Sequence, residues 1–323
     1  MYLEAGLQMT QYVVKRILIL IPVMLGVILI LFALMYNLIG SSMQDMSISG
    51  GGDALDSFFS FFNIEGNFFS RYLRYCYNLF VRFEFGKSRN GLPVIDFLPM
   101  RIQLTALLTL LSSAITFLIG IPLGIYSAMR KNRWQDNSLT FLTMLLSSIP
   151  NYCLAFILCF CFVLRLKLLP TWGFSSPKHF VLPIATLSVA GIASLTRITR
   201  ASMLEVFDES YITALRSKGL KERLVIFRHA LKNAMVPVLS VFGAIVSQLL
   251  CGSIVVETYF AIPGLGVYML SAVSGRDHFS LLGCAVIITL ALLLVNLFSD
   301  IAYALVNPQI KQRYSTRADR KGA

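Results

Sequence analysis

Six stretches of this chain contain no Asp, Glu, Lys or Arg: Ile17–Gln44, Ile102–Met129, Asn137–Leu164, His179–Thr196, Asn233–Val256 and His278–Ser299. A helix crosses the hydrocarbon core of a bilayer, roughly 30 Å thick, in about 20 apolar residues. Five of the runs exceed that length. The fourth has 18 residues and reaches it if its helix continues through Arg197 towards Met203. Inside lipid no water satisfies backbone N–H and C=O groups, so such runs must be helical. The expectation is an all-α integral membrane protein with six transmembrane helices, the first over residues 16–39. Pro22 and Gly26 in that run are of the kind membrane helices tolerate.

Composition agrees, with 14% charged residues against about a quarter in soluble domains. The net charge of +12 invites a nucleic-acid reading. It is rejected, because the basic residues fall between the apolar runs rather than on one basic face. Lys15 and Arg16 open the first run as in a secretory signal. That run is too long for one, and no small-residue cleavage site follows promptly. The preceding MYLEAGLQ reads as a leader before Met9, a second possible start, and translation from Met1 or from Met9 stays open.

Placing the N-terminus inside puts 18 of the 28 Lys and Arg on the cytoplasmic side. The bias predicts both termini in the cytoplasm. The chain then divides into a leader (1–15), the first helix (16–39), an extracytoplasmic segment (40–100), a core of five helices (101–306) and a cytoplasmic tail (307–323). In the external segment SISGGGDALD reads as a flexible turn. The aromatic stretch FFSFFNIEGNFFSRYLRYCYNLFVRFEF is expected at the membrane interface or packed on the helices, as an aromatic belt in preference to a ligand platform. Five of the six cysteines lie inside apolar runs, where Cys acts as a small hydrophobe. Cys76 has no partner nearby, and no disulfide is expected.

The longest polar interval, RITRASMLEVFDESYITALRSKGLKERLVIFRHALK (Arg197–Lys232), holds eight basic and four acidic residues. It fits two short amphipathic helices hinged at Gly219. Asp208 is expected to cap the first, which ends at Lys218, with Gly219 in the left-handed conformation. Tyr211, Ala214, Leu215 and Lys218 recur at helical spacing and place a small residue on a narrow face. Leu224, Phe227 and Leu231 form a second stripe. Spacing alone leaves two readings, a lipid-surface element and a docking element.

Chemistry-bearing motifs are few. There is no Walker A pattern, so the chain is not expected to hydrolyse ATP. There is no HExxH or CxxC, and His179, His229 and His278 are far apart in sequence. Cys159 and Cys161 are two positions apart and face different sides of a helix. No catalytic residue and no resident metal site is assigned. Asn296 and Asp300 lie four apart on one face of the last helix. An acid within a span is a functional candidate, but Asp300 lies near the cytoplasmic end of its helix, and a packing role, as a cap, a snorkelling acid or the partner of a neighbouring helix, is favoured.

Several segments, in order, resemble binding-protein-dependent ABC importer permeases of the dipeptide/oligopeptide/nickel branch. They are EFGKS (84–88), GIPLGIYSAMRKNRWQD (120–136), SIPNYCLAFIL (148–158), LLPTWGF (168–174), SYITALRSKGLKERLVIFRHALKNAMVPV (210–238), VVETYFAIPGLG (255–266), GRDH (275–278) and NLFSDIAYALVNPQIK (296–311). The resemblance implies the type I importer permease fold. It makes 202–232 a cytoplasmic coupling loop whose short helix sits in a cleft on an ATPase subunit, through Tyr211, Ala214, Leu215, Ser217, Gly219 and Leu220. Ala214 and Gly219 match the small residues of the family's pattern, while Thr213 and Leu215 depart from it. Lys232 stands where many relatives have proline, so the chain there is expected to stay helical. Ile262 replaces a common Trp, and Pro263, Gly264 and Gly266 are expected to form a tight re-entrant turn near the outer mouth, whether as a gate or only as a loop.

The partners implied are a homologous second permease subunit, two cytoplasmic ATPase subunits carrying ATP and magnesium, and an extracytoplasmic solute-binding protein. The implied location is a bacterial or archaeal cytoplasmic membrane, and the chain itself would bind no cofactor and no nucleic acid. Peptides are the first cargo class. Nickel or a metal–chelator complex is second, because LLPTWGFSSPKHFVLP is similar to the corresponding connection in nickel-type members. A channel or secondary transporter would need pore-lining charges or paired discontinuous helices, and neither pattern is visible. A membrane anchor or sensor would not need so many spans.

Overall fold

The computed structural model describes residues 14–35 and 67–306. Most of the leader, the SISGGGDALD turn and the cytoplasmic tail lie outside the described residues. Those described are helical apart from connections and one isolated bridge between Lys87 and Pro93. The elements are α1 Val14–Met35, α2 Phe68–Val81, α3 Leu98–Met129, α4 Trp134–Ser148 and α5 Asn151–Cys159. They continue with α6 Lys178–Phe207, α7 Ser210–Ser217, α8 Glu222–Leu224, α9 Leu231–Tyr259, α10 Leu265–Ser274 and α11 His278–Val306.

Among the described residues five helical stretches are long and apolar enough to cross a membrane: Val14–Met35, Val94–Met129, Lys178–Phe207, Glu222–Tyr259 and His278–Ala304. The third apolar run departs from the expected single helix. It is a bent pair, Trp134–Ser148 and Asn151–Arg165, turning through 101°. The cause is local. A residue before proline is pushed out of the helical region, and Ile149 before Pro150 is extended, with φ −84° and ψ 121°. Counting the pair as one span restores six. α6 runs through Phe207, one turn beyond the expected end near Met203.

The chain forms two compact units. Among the described residues the larger comprises 14–18, 107–260 and 294–306, and in it α6 packs on α9, α4 and α5. Helices in lipid gain little from a hydrophobic effect and approach through small residues and hydroxyl groups instead. The α3–α6 contact is of this kind. Ser188 Oγ donates to the Ser112 carbonyl at 3.3 Å and Thr196 Oγ1 to the Gly120 carbonyl at 3.2 Å. A Cβ added at Gly124 would lie 2.5 Å from Thr199 Cβ and 2.7 Å from the Thr196 carbonyl.

The second unit comprises, among the described residues, 19–35, 67–106 and 261–293. Its core gathers Ile28 and Phe32 of α1, Tyr72, Tyr75 and Leu79 of α2, and Phe279 of α11. Tyr72, Tyr75, Cys76 and Leu79 are all buried at i, i+3, i+4 and i+7, the apolar stripe of an amphipathic helix. Phe32 stacks on Tyr75 at 5.7 Å, and Tyr72 Oη donates to the Leu25 carbonyl at 2.8 Å. Within the described part of the aromatic stretch, from Asn67 on, one face of α2 therefore packs on α1, while Phe69, Leu73 and Tyr77 on the other face are exposed; its first residues lie outside the described residues.

Candidate coupling site

The polar interval folds as a helical hairpin. α6 ends at Phe207, Glu209 is extended (φ −72°, ψ 140°), and α7 follows at once. α7 closes at Gly219, whose φ is +76°. The Gly219 N–H donates to the Arg216 carbonyl at 2.9 Å and the Leu220 N–H to the Leu215 carbonyl at 3.4 Å. These two bonds make a Schellman closure, which favours glycine at the left-handed position because no Cβ is present to clash. Lys221 is extended again, and α8 starts the return.

One expectation for this stretch is corrected. Asp208 does not cap α7. It closes the end of α6 through its backbone N–H, since α6 runs on to Phe207, and Glu209 holds the α7 N-cap position without a side-chain bond. The stripe Leu224, Phe227, Leu231 is distinct from the face that packs inward. Val225–Ala230 is wound as a π-helix, whose wider i→i+5 turn shifts the register. Val225, Ile226 and Ala230 are buried together with Ile212 of α7, while Leu224 and Phe227 are exposed. The chain after Leu231 stays helical to Tyr259, as expected from Lys232.

The six expected coupling residues come together on this hairpin. Ala214, Ser217 and Gly219 are exposed at its tip, and Tyr211, Leu215 and Leu220 are half-buried at its base. Tyr211 Oη accepts from Asn233 Nδ2 at 2.7 Å. A clasp closes the two arms: Arg216 donates to both Glu222 carboxylate oxygens at 3.2 and 2.7 Å. The Glu222 hydrogen bonds raise the Arg216 pKa above its usual range. Arg216 also lies 5.7 Å over the Phe207 ring. Between the hairpin, the end of α6 and the α3–α4 turn is a cavity of about 300 Å³, with Lys131, Asp208, Arg216 and Glu222 in its wall.

Beside the hairpin lies a network that reading the sequence did not single out. Asp136, in the first turn of α4, has 0% of its surface exposed. Its Oδ1 accepts from Ser127 Oγ at 2.5 Å and Arg200 Nε at 2.6 Å, and its Oδ2 from Arg200 Nη2 at 2.7 Å and the Asn132 N–H at 3.0 Å. One turn back on α6, Arg197 Nη1 donates to the Thr143 carbonyl and to Ser147 Oγ, both at 3.0 Å.

Residues 120–312, which include the α3–α4 turn, α6 and the hairpin, match the model of the binding-protein-dependent transport system inner membrane component. The chain belongs to that family. Over 318 residues it is 34% identical to the oligopeptide transport system permease protein AppB of Bacillus subtilis (strain 168), covering 94% of this chain and 100% of that one. The dipeptide transport system permease protein DppB of the same organism is 33% identical over 306 residues, 94% of this chain and 98% of its own. The glutathione transport system permease protein GsiC of Escherichia coli (strain K12) is 33% identical over 307 residues, 94% and 100%. A solved chain of an amino acid ABC transporter with histidines aligns over 66% of this chain and 92% of its own, at 17% identity and a TM-score of 0.45.

The remaining site residues of this inner membrane component fall elsewhere. Pro263 and Gly264 precede α10, a helix of 10 residues, and Gly266 lies buried in its first turn. The Gly264 N–H donates to the Ile262 carbonyl at 2.8 Å, a tight turn about Pro263. The left-handed residue of this connection is Ala261 (φ 53°) rather than a glycine. Asp300 pairs with Arg16 of α1 at 2.7 Å, which is the neighbouring-helix alternative among those left open, and Asn296 is exposed. Asp136 and Arg200 escaped notice because they stand 64 positions apart and each reads locally as a loop or topology charge.

Proposed function

We propose that this permease forms half of the translocation pathway of an importer for peptides. It is driven by ATP and magnesium on two cytoplasmic ATPase subunits and is paired with a homologous second permease. An extracytoplasmic solute-binding protein delivers the cargo, in a bacterial cytoplasmic membrane with both termini of the chain inside. The observation that carries the reading is the hairpin. Its tip offers small, exposed side chains (Ala214, Ser217 and Gly219) on a base fixed by buried Ile212, Val225 and Ile226. Such a shape suits insertion into a cleft on another protein. Peptide cargo is supported by the names of the three relatives, which specify oligopeptides, dipeptides and glutathione.

Two measurements test it. Calorimetry of the partner binding protein with peptides and with nickel complexes should give heat with peptides only; capture of a nickel complex instead would overturn the cargo. Labelling of a Ser217→Cys variant by an impermeant maleimide should require permeabilised cells. Ready labelling from outside would overturn the orientation, and with it the coupling role.

A further inference from the structure

The geometry points to Asp136 and Arg200 as positioning residues that turn the hairpin's displacement into movement of α4. This rests on the coupling reading of the hairpin. Asp136 is fully buried and Arg200 is 27% exposed; taking a charge out of water offsets much of what the attraction returns, so such a pair is poor as a stabiliser and better understood as fixing one arrangement. Here the arrangement joins three elements. Ser127 belongs to the last turn of α3 and Asn132 (φ 63°) to the α3–α4 turn, while Arg200 lies two turns before the end of α6. α6 runs into the hairpin with only Asp208 and Glu209 between them.

A bidentate guanidinium–carboxylate pair sets angle as well as distance, so α6 cannot rotate against α4 without breaking it. The second arginine makes the joint a bracket. Arg200 holds Asp136 and Arg197 holds Thr143 and Ser147, so α4 is fastened near both of its ends. Outside, Lys131 and Asp208 come within 3.7 Å and bring the α3–α4 turn to the foot of the hairpin. The result is one stiff lever, from the hairpin tip along α4 to the break at Ile149–Pro150. A force on the tip therefore arrives at that break instead of being lost in the loop.

The test uses the complete transporter in proteoliposomes, with the permease in a cysteine-free background carrying spin labels at Met144 on α4 and Arg223 on the hairpin, both exposed. The 144–223 distance is compared between the nucleotide-free and the vanadate-trapped states. It should be single and unchanged between them in the otherwise native chain. With Asp136→Asn it should broaden or change between states. ATP-driven uptake of a radiolabelled tripeptide should then fall about 5- to 150-fold, the span of ordinary coupling between sites, with the ATPases still bound. Arg200→Lys, which keeps the charge but loses the fork, should fall between. A native distance that changes between the two states overturns the lever, and so does full uptake in Asp136→Asn. If Asp136→Asn does not assemble, the native distance and Arg200→Lys still decide. Loss of ATPase binding would not follow from a broken lever, whereas a Gly219→Trp variant that leaves ATPase binding intact would instead sink the coupling reading.

Discussion

Gly219 combines a backbone requirement with an open surface, and three substitutions separate them. Its φ is +76°, and a Cβ built there meets nothing within 4 Å. An alanine would therefore clash with nothing and cost only the left-handed backbone, roughly 1–2 kcal/mol. The turn is otherwise held by two backbone bonds and by the Arg216–Glu222 pair, whose side chains are 41% and 54% exposed, so the pair adds less than about 1 kcal/mol after screening. Nothing nearby absorbs the cost, and Gly219→Ala should open the hairpin by about 5- to 30-fold, at tenfold per 1.4 kcal/mol. Gly219→Asn should do less, because its side chain tolerates this region. Gly219→Trp carries the same backbone cost as alanine, so any further loss must come from its bulk meeting a partner. Co-purification with the ATPase subunits and uptake in proteoliposomes, at equal amounts of inserted permease, should rank Asn, Ala, then Trp, with Trp at least about tenfold below Ala in ATPase affinity. Equal affinity for Ala and Trp would refute the reasoning, since the exposed tip would then touch nothing.

The helix contacts give two further expectations. Gly124→Leu must displace Thr199 and the Thr196 carbonyl and should cost about 1–3 kcal/mol, as overpacking does. Gly26→Leu, with nothing within 4 Å of its Cβ, is the control and should leave thermal unfolding in detergent unchanged. Asp300→Asn removes an ion pair whose side chains are 44% and 33% exposed; below about 1 kcal/mol, it should lower the melting temperature by less than about 4 °C. A much larger drop would mean that the pair is shielded from water.

The spans could be read from the sequence because lipid imposes one rule on every residue, and a charge-free run of sufficient length has few alternatives. Gly219 was legible for a similar reason: few residues other than glycine suit a left-handed closure. Proline gave a less certain signal. Pro122, Pro183 and Pro237 sit inside continuous helices, whereas Pro150 breaks one through 101°. A proline frees backbone groups, and whether neighbours satisfy them is a tertiary matter. The wide turn at Val225–Ala230 hid the true inner face in the same way. One extra residue per turn moves Val225 and Ile226 inward and Phe227 outward, and no local residue type announces it. The Asp136–Arg200 joint was the least visible, because a charge pair spanning two helices leaves no periodicity in either.

The α3–α6 contact has a thermal consequence. It is held by close backbone approach at Gly124 and by Ser188 and Thr196 bonding to carbonyls across the interface. Pulling such helices apart within a micelle exposes their faces to hydrocarbon rather than to water. The large heat-capacity change of ordinary unfolding comes from hydrating apolar surface, and here almost none is hydrated. The separation should therefore have a nearly temperature-independent enthalpy. The contact should loosen steadily on warming, with no maximum of stability at intermediate temperature and no cold-induced separation.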